Sequence, residues 1–187
     1  MKEYSRKIHY TFKTGYYIGC LPVGCRLCLA GTKIVVFVTG LCSDNCWYCP
    51  VSRQKLGRDL VYVNEVRVRN YDDIINEAYR IGAMGAGLTG GDPITRIDRT
   101  CNIIRLLKRE FGNKFHIHLY TSGRLVDRGV ISRLEESGLD EIRFHTYNFN
   151  LLKPVEEALE TNMDVGVEVP FIPQTNYCLL YTSPSPR

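Results

Sequence analysis

No stretch of this chain approaches the roughly 18 consecutive apolar residues of a membrane helix, so a helical span is excluded. Residues 1–13 are charged and aromatic and lack the apolar core of a signal peptide. The expected location is therefore cytoplasmic, with no membrane partner. Charge of one sign is also scarce. The 24 Lys and Arg face 20 Asp and Glu, and a net charge of +4 is too weak to mark a nucleic-acid surface. Helix-breaking low-complexity sequence is confined to the Ser/Pro-rich end near Ser183 and Pro186. What remains is 44% hydrophobic and 24% charged, the profile of a globular chain with a real core.

Cysteine, by contrast, is abundant. Six of the eight cysteines fall between Cys20 and Cys49, whereas a disulfide framework would spread them through the fold. In a reducing compartment such a cluster points to metal ligands or catalytic groups.

The rest of the sequence alternates between two periods. Residues 33–40 form a β-branched run closed by Gly, and residues 86–89, 115–121, 141–146 and 165–169 read as further strands. Between them, residues 71–81, 103–112, 130–138 and 151–159 carry apolar side chains at helical spacing. Repeated βα units with short connections predict a parallel sheet, either a barrel of (β/α) units or an open doubly wound sheet. Gly85, Gly87 and Gly90 spell a dinucleotide fingerprint, but no hydrophobic strand precedes them and no helix opens among them, so that reading is discarded. Cys101, on the apolar face of a predicted helix, is expected in the core.

Cys42, Cys46 and Cys49 place three thiols within eight positions, directly after the first strand. A cuboidal iron–sulfur cluster needs thiolates converging on one small volume, and a tight loop supplies them. Three ligands leave one iron open to substrate, where an electron carrier would close it with a fourth cysteine. A structural zinc site would also want four ligands.

With Tyr48 before the last cysteine, this loop resembles the Cys-x3-Cys-x-aromatic-Cys element of the radical S-adenosylmethionine (SAM) superfamily. Gly90-Gly91-Asp92-Pro93, closing the second strand, resembles that family's Gly-Gly-Glu element, with Asp in place of Glu. The resemblance spans roughly residues 33–173. It implies an α/β fold, a partial (β/α)6 radical SAM barrel truncated after about the fifth strand. It further implies a [4Fe–4S] cluster on Cys42, Cys46 and Cys49, and SAM held by Tyr48, Gly90, Gly91, Asp92 and Pro93. SAM would be cleaved to a 5′-deoxyadenosyl radical that takes hydrogen from a substrate. An electron donor such as ferredoxin or flavodoxin is implied as well. Strand C-termini build the site of such a barrel, which adds Thr121, Ser122, Arg143, His145 and Glu168 to the cofactor-binding candidates. His116 and His118 sit lower on their strand, where a packing role is expected.

Residues 115–121 and 138–145 are similar to a mostly archaeal group of radical SAM proteins related to pyruvate formate-lyase activating enzymes. That likeness suggests a protein glycyl residue as substrate, while the fold would equally admit a small molecule or an RNA base. The rival reading is an iron–sulfur or zinc-binding scaffold, or electron carrier, without SAM cleavage. Upstream, Cys20, Cys25 and Cys28 form a candidate second site for zinc or another cluster, with Cys25-x2-Cys28 as its knuckle. The expected organisation is an N-terminal extension over residues 1–32, a radical SAM core over 33–177, and a tail over 178–187. That tail is similar to translated sequencing-adaptor read-through and is expected to be non-native.

Overall fold

The computed structural model describes residues 8–11, 15–145 and 152–170. Its parallel core is built from β3 (Lys33–Thr39), β6 (Gly85–Gly90), β7 (His116–Thr121), β8 (Glu141–His145) and β9 (Asp164–Glu168). The chain passes between them through α2 (Asp72–Arg80), α3 (Ile97–Phe111), α4 (Arg128–Ser137) and α5 (Leu152–Ala158). Before this core come a hairpin, β1 (Ile8–Thr11) and β2 (Gly15–Ile18), and the helix α1 (Val23–Ala30). Two short strands, β4 (Tyr62–Val63) and β5 (Val66–Arg67), lie between β3 and α2. The tail expected over 178–187 lies outside the described residues. No helix among the described residues is long and apolar enough to cross a membrane.

Strand order resolves the choice between barrel and open sheet. The sheet runs β5-β4-β3-β6-β7-β8-β9, and all neighbours from β3 to β9 are parallel. A doubly wound sheet reverses its strand order at a switch point. Here the order follows the sequence without reversal, and right-handed crossovers then put every helix on the same face. That is the arrangement of a (β/α) barrel segment.

Alternation along the strands confirms it. Ile34, Val36, Val38, Ala86, Leu88, Ile117, Leu119, Ile142 and Phe144 point to the helix side and are essentially fully buried. Ile74 and Ala78 of α2, Ile103, Ile104 and Leu107 of α3, and Leu134 of α4 meet them. Each buried aliphatic side chain stabilises the fold by about 1.5–3 kcal/mol against exposure, before the conformational entropy is counted. Cys101 lies in this core, as expected.

Helix ends follow their sequence signals. Asp127 Oδ1 accepts the backbone N–H of Val130 at 2.8 Å to start α4, and Gly138 closes it in the left-handed conformation. Asp72 and Asp73 occupy the first turn of α2, where the helix dipole favours negative charge.

The face away from α2–α5 has a different chemistry. Lys33, His116, His118, Tyr120, Glu141, Arg143 and Glu168 alternate with the apolar set and point inward. α1 packs into this concavity against β3, β6 and β7, so residues 23–30 are part of the barrel's filling. Segment 23–30 is a regular helix, with Cys25 and Cys28 three positions apart on it.

Candidate active site

β3 delivers the chain straight into the cysteine loop, and the loop's return is anchored by Asp59. That carboxylate accepts from Thr39 Oγ1 at 2.9 Å, Arg96 Nε at 2.9 Å and Arg99 Nη1 at 2.5 Å. The Arg99 hydrogen bond, with Arg96 and Thr39 adding to it, holds Asp59 well below the usual carboxylate range. Arg99 also donates to Val38 O at 3.1 Å, tying the start of α3 to the end of β3.

Above this anchor lies a cavity of about 300 Å³ at the C-terminal ends of β3, β6, β7 and β8. Its walls include Cys42, Cys46, Cys49, Tyr48, Gly90, Gly91, Thr121, Ser122 and His145. Among the candidates drawn from the sequence, these nine meet around one volume. Thr89 and Tyr120 also line it. The sequence does not single out Tyr120, because β7 carries polar residues at every second position and the register decides which of them reaches the mouth.

The three loop thiols are free and line the same cavity. Burial pushes the Cys42 thiol above its ordinary pKa, and the Asp92 and Asp44 carboxylates add to this. Arg124 Nε reaches across the mouth to Asp44 Oδ1 at 2.8 Å, joining the cysteine loop to the segment after β7.

Gly90 and Gly91 bring backbone against backbone. The Gly91 N–H donates to Thr39 O at 2.7 Å and the Asp92 N–H to Leu41 O at 2.8 Å. A Cβ on Gly90 would stand 2.3 Å from Thr39 O, and one on Gly91 2.2 Å from Leu41 O. Gly90 also adopts φ +145°, a conformation that favours glycine.

Asp92 faces away from the cavity. Its carboxylate is fully buried and accepts from Ile94 N at 3.0 Å, Thr121 Oγ1 at 3.0 Å, Ser122 Oγ at 3.0 Å and Ser122 N at 3.2 Å. Burial raises its pKa, against the pull of these donors. Asp92 thus shapes the wall through Thr121 and Ser122. Pro93 is buried and opens a single 3₁₀ turn, Pro93–Arg96.

Arg143 also lies off the cavity wall. It is buried in the concavity, where Nε donates to Glu141 Oε1 at 2.5 Å and Nη1 to Tyr120 Oη at 2.8 Å and Glu168 Oε1 at 3.2 Å. Burial works to lower its pKa, but the Glu141 carboxylate outweighs this and fixes the charge. Burial raises the Tyr120 phenol to about 12. His145 stands between this network and the mouth, 3.9 Å from Glu168 Oε2, with its ring 6.2 Å from that of Tyr48. The apolar strand environment of Glu168 is thereby answered: Arg143 is its partner.

Of the upstream cysteines, Cys20 and Cys28 are exposed and Cys25 Sγ accepts from Arg143 Nη2 at 3.3 Å.

A parallel (β/α) barrel segment with a thiol-lined pocket at its strand C-termini defines a class of cofactor-dependent barrel proteins. The profile of the radical SAM superfamily matches residues 36–166 of this chain, and the chain belongs to that superfamily. Membership implies a [4Fe–4S] cluster and SAM. The chain is 40% identical over 164 residues to a Methanocaldococcus jannaschii protein named "Putative glycyl-radical enzyme activating enzyme", a match covering 82% of this chain and 44% of that protein. It is 28% identical over 108 residues to the PqqA peptide cyclase of Granulibacter bethesdensis, covering 57% of this chain and 26% of the cyclase. The chain therefore spans less than half the length of these relatives. The crystal structure of BtrN in complex with AdoMet and 2-DOIA shares the fold, with a TM-score of 0.52 at 14% identity over 73% of this chain and 56% of BtrN.

Proposed function

We propose that this chain holds a [4Fe–4S] cluster through Cys42, Cys46 and Cys49, and uses it to cleave SAM reductively and begin radical chemistry on a polypeptide. The observation that carries this reading is the meeting of the three thiols with Gly90, Gly91, Ser122 and His145 around one cavity. The bound cluster supplies the electron and an open iron for the methionine end of SAM.

The protein's own part is placement. Gly90 and Gly91 let the end of β6 press against the end of β3 and the start of the cysteine loop, where any side chain would meet Thr39 O or Leu41 O, and so set main chain along the pocket wall. Ser122 and Thr121, held by Asp92, present a wall with hydroxyl groups set by a buried carboxylate. Tyr48 and His145 close the other side with rings, which limits water around a reactive species. The reducing equivalent comes from an external donor of the ferredoxin or flavodoxin kind. The names of both relatives refer to polypeptide targets, which favours a glycyl or other polypeptide residue over a small molecule or an RNA base.

The test is anaerobic reconstitution with iron and sulfide, reduction by dithionite, and assay for 5′-deoxyadenosine and methionine. Cys46→Ala should abolish both iron loading and product. A fully loaded cluster that yields no 5′-deoxyadenosine from SAM would leave the scaffold or electron-carrier reading in its place.

A further inference from the structure

At the opposite end of the strands from the thiol pocket, three polar side chains lie buried together. His116 opens β7, Glu141 opens β8, and His118 sits one inward-facing position further along β7. They retain 8%, 2% and 3% of their exposure. One ligand atom from each falls within 4.8 Å of the other two, and among the described residues this is the one His, Cys and carboxylate group that converges so tightly.

Hydrogen bonding does not account for this gathering. Both ring nitrogens of His116 and Glu141 Oε2 are buried and have no hydrogen-bond partner. His116 Nε2 and Glu141 Oε2 approach to 3.5 Å without forming a hydrogen bond. Glu141 Oε1 accepts from Arg143 Nε, which leaves Oε2 as a spare acceptor beside the His116 imidazole. Buried polar atoms are nearly always satisfied, and a set of orphans pointing at one another calls for an unseen partner.

The surroundings are cut to fit the imidazole. A Cβ on Gly24 of α1 would come within 2.6 Å of His118 Nδ1 and 2.8 Å of Glu141 Oε2, and one on Gly87 within 2.8 Å of His118 Nε2. His118 is thus gripped between two glycines. His116 lines a second cavity of about 500 Å³ at the strand N-termini, whose wall also carries Asp140 and Asp164.

We propose that His116, His118 and Glu141 bind one divalent transition-metal ion of the zinc class, separate from the iron–sulfur cluster. Two imidazoles and a carboxylate are a donor set that zinc accepts, with water filling the remaining position. Lys33 Nζ is hydrogen-bonded to His118 Nδ1 and supplies the positive charge there without the ion. Its long stem lets it withdraw when the ion enters. A metal here would pin β7 to β8 from within and rigidify the floor beneath Arg143.

The full chain with its cluster reconstituted is loaded with zinc and freed of excess, and zinc and iron are counted by mass spectrometry. One zinc per chain beyond the iron is expected, with a rise in melting temperature on loading. His116→Gln deletes no hydrogen bond; it should fold as the parent does, bind zinc at least about tenfold more weakly and lose the thermal response. Lys33→Met should bind zinc more tightly, because a competing cation is gone, whereas a purely packing role for Lys33 predicts no gain. Cys25→Ser and Cys28→Ser should retain the zinc. The proposal is overturned if no zinc is held beyond the level of His116→Gln, or if the bound zinc is lost with Cys25→Ser or Cys28→Ser and kept with His116→Gln.

Discussion

Asp92 and Ser122, thirty positions apart, are joined twice: Oδ2 of Asp92 accepts the Ser122 backbone N–H at 3.2 Å and its hydroxyl at 3.0 Å. One buried carboxylate thereby sets the shape of the wall between β6 and β7. Asp92→Ala leaves the hydroxyls of Thr121 and Ser122 and the N–H of Ile94 without their acceptor. Stability should fall by about 1–3 kcal/mol, read from denaturant unfolding. SAM binding should weaken in the same variant even though Asp92 does not touch the pocket. Ser122→Ala should retain most of the stability, because its N–H still has the carboxylate.

Much of this barrel is legible from sequence. The β-branched run at 33–40 and the apolar spacings of α2 and α4 locate the strands and these helices to within a few residues, while α3 begins at Ile97, six residues before its apolar spacing at 103. The direction of Asp92 was not legible. A short carboxylate after two glycines can point to a ligand or back to the frame, and three donors on β7 and beyond decide it. Helix α1 was hidden for a related reason. An isolated eight-residue helix is unstable in water, so Gly24-Cys25-Arg26-Leu27-Cys28 read as a metal knuckle, and its seat against the strands supplies what its own sequence lacks. His116 and His118 were expected to pack. Alternation places them correctly on one face, but the chemistry of that face depends on Lys33 and Glu141, which arrive from other strands.

Gly90 and Gly91 give a steric prediction. Gly90→Ala adds strain at φ +145° and a Cβ 2.3 Å from a carbonyl oxygen, and should cost about 1–2 kcal/mol or more. Gly112→Ala, with a positive φ of +76° but nothing within 4 Å, should pay only the backbone cost. Paired melting curves and SAM-binding isotherms separate the two effects: both variants lose stability, and only Gly90→Ala loses the ligand.

The Arg124–Asp44 pair predicts a split between stability and loading. Arg124 is more than half exposed, so the ion pair contributes no more than about 1 kcal/mol and weakens with salt. Arg124→Ala should leave the unfolding midpoint nearly unchanged. It should, however, accelerate loss of iron on exposure to air, since the cysteine loop loses its tie across the mouth. Absorbance decay of the reconstituted protein measures this directly.

Acid sensitivity should trace in part to Glu77. Its buried carboxylate accepts from Arg80 Nε at 2.6 Å and from Asn64 Nδ2 at 2.6 Å. The Arg80 hydrogen bond, then that of Asn64, lowers its pKa to about 2. A carboxylate with a depressed folded-state pKa contributes stability above its unfolded value, and that contribution disappears as pH falls toward the folded one. Unfolding free energy should thus decline from about pH 5 down to pH 2, and Glu77→Gln should flatten this decline while lowering stability at neutral pH. Denaturation curves across that range provide the measurement.

The short strand β4 has a topological effect larger than its two residues suggest. By pairing antiparallel with Val36 and Phe37, it occupies the outer edge of β3, the edge that a barrel's final strand would need in order to seal the cylinder. Among the described residues the sheet's two free edges are therefore β5 and β9, and any strand that would pair directly with the outer edge at Val36 and Phe37 must first displace this two-residue neighbour.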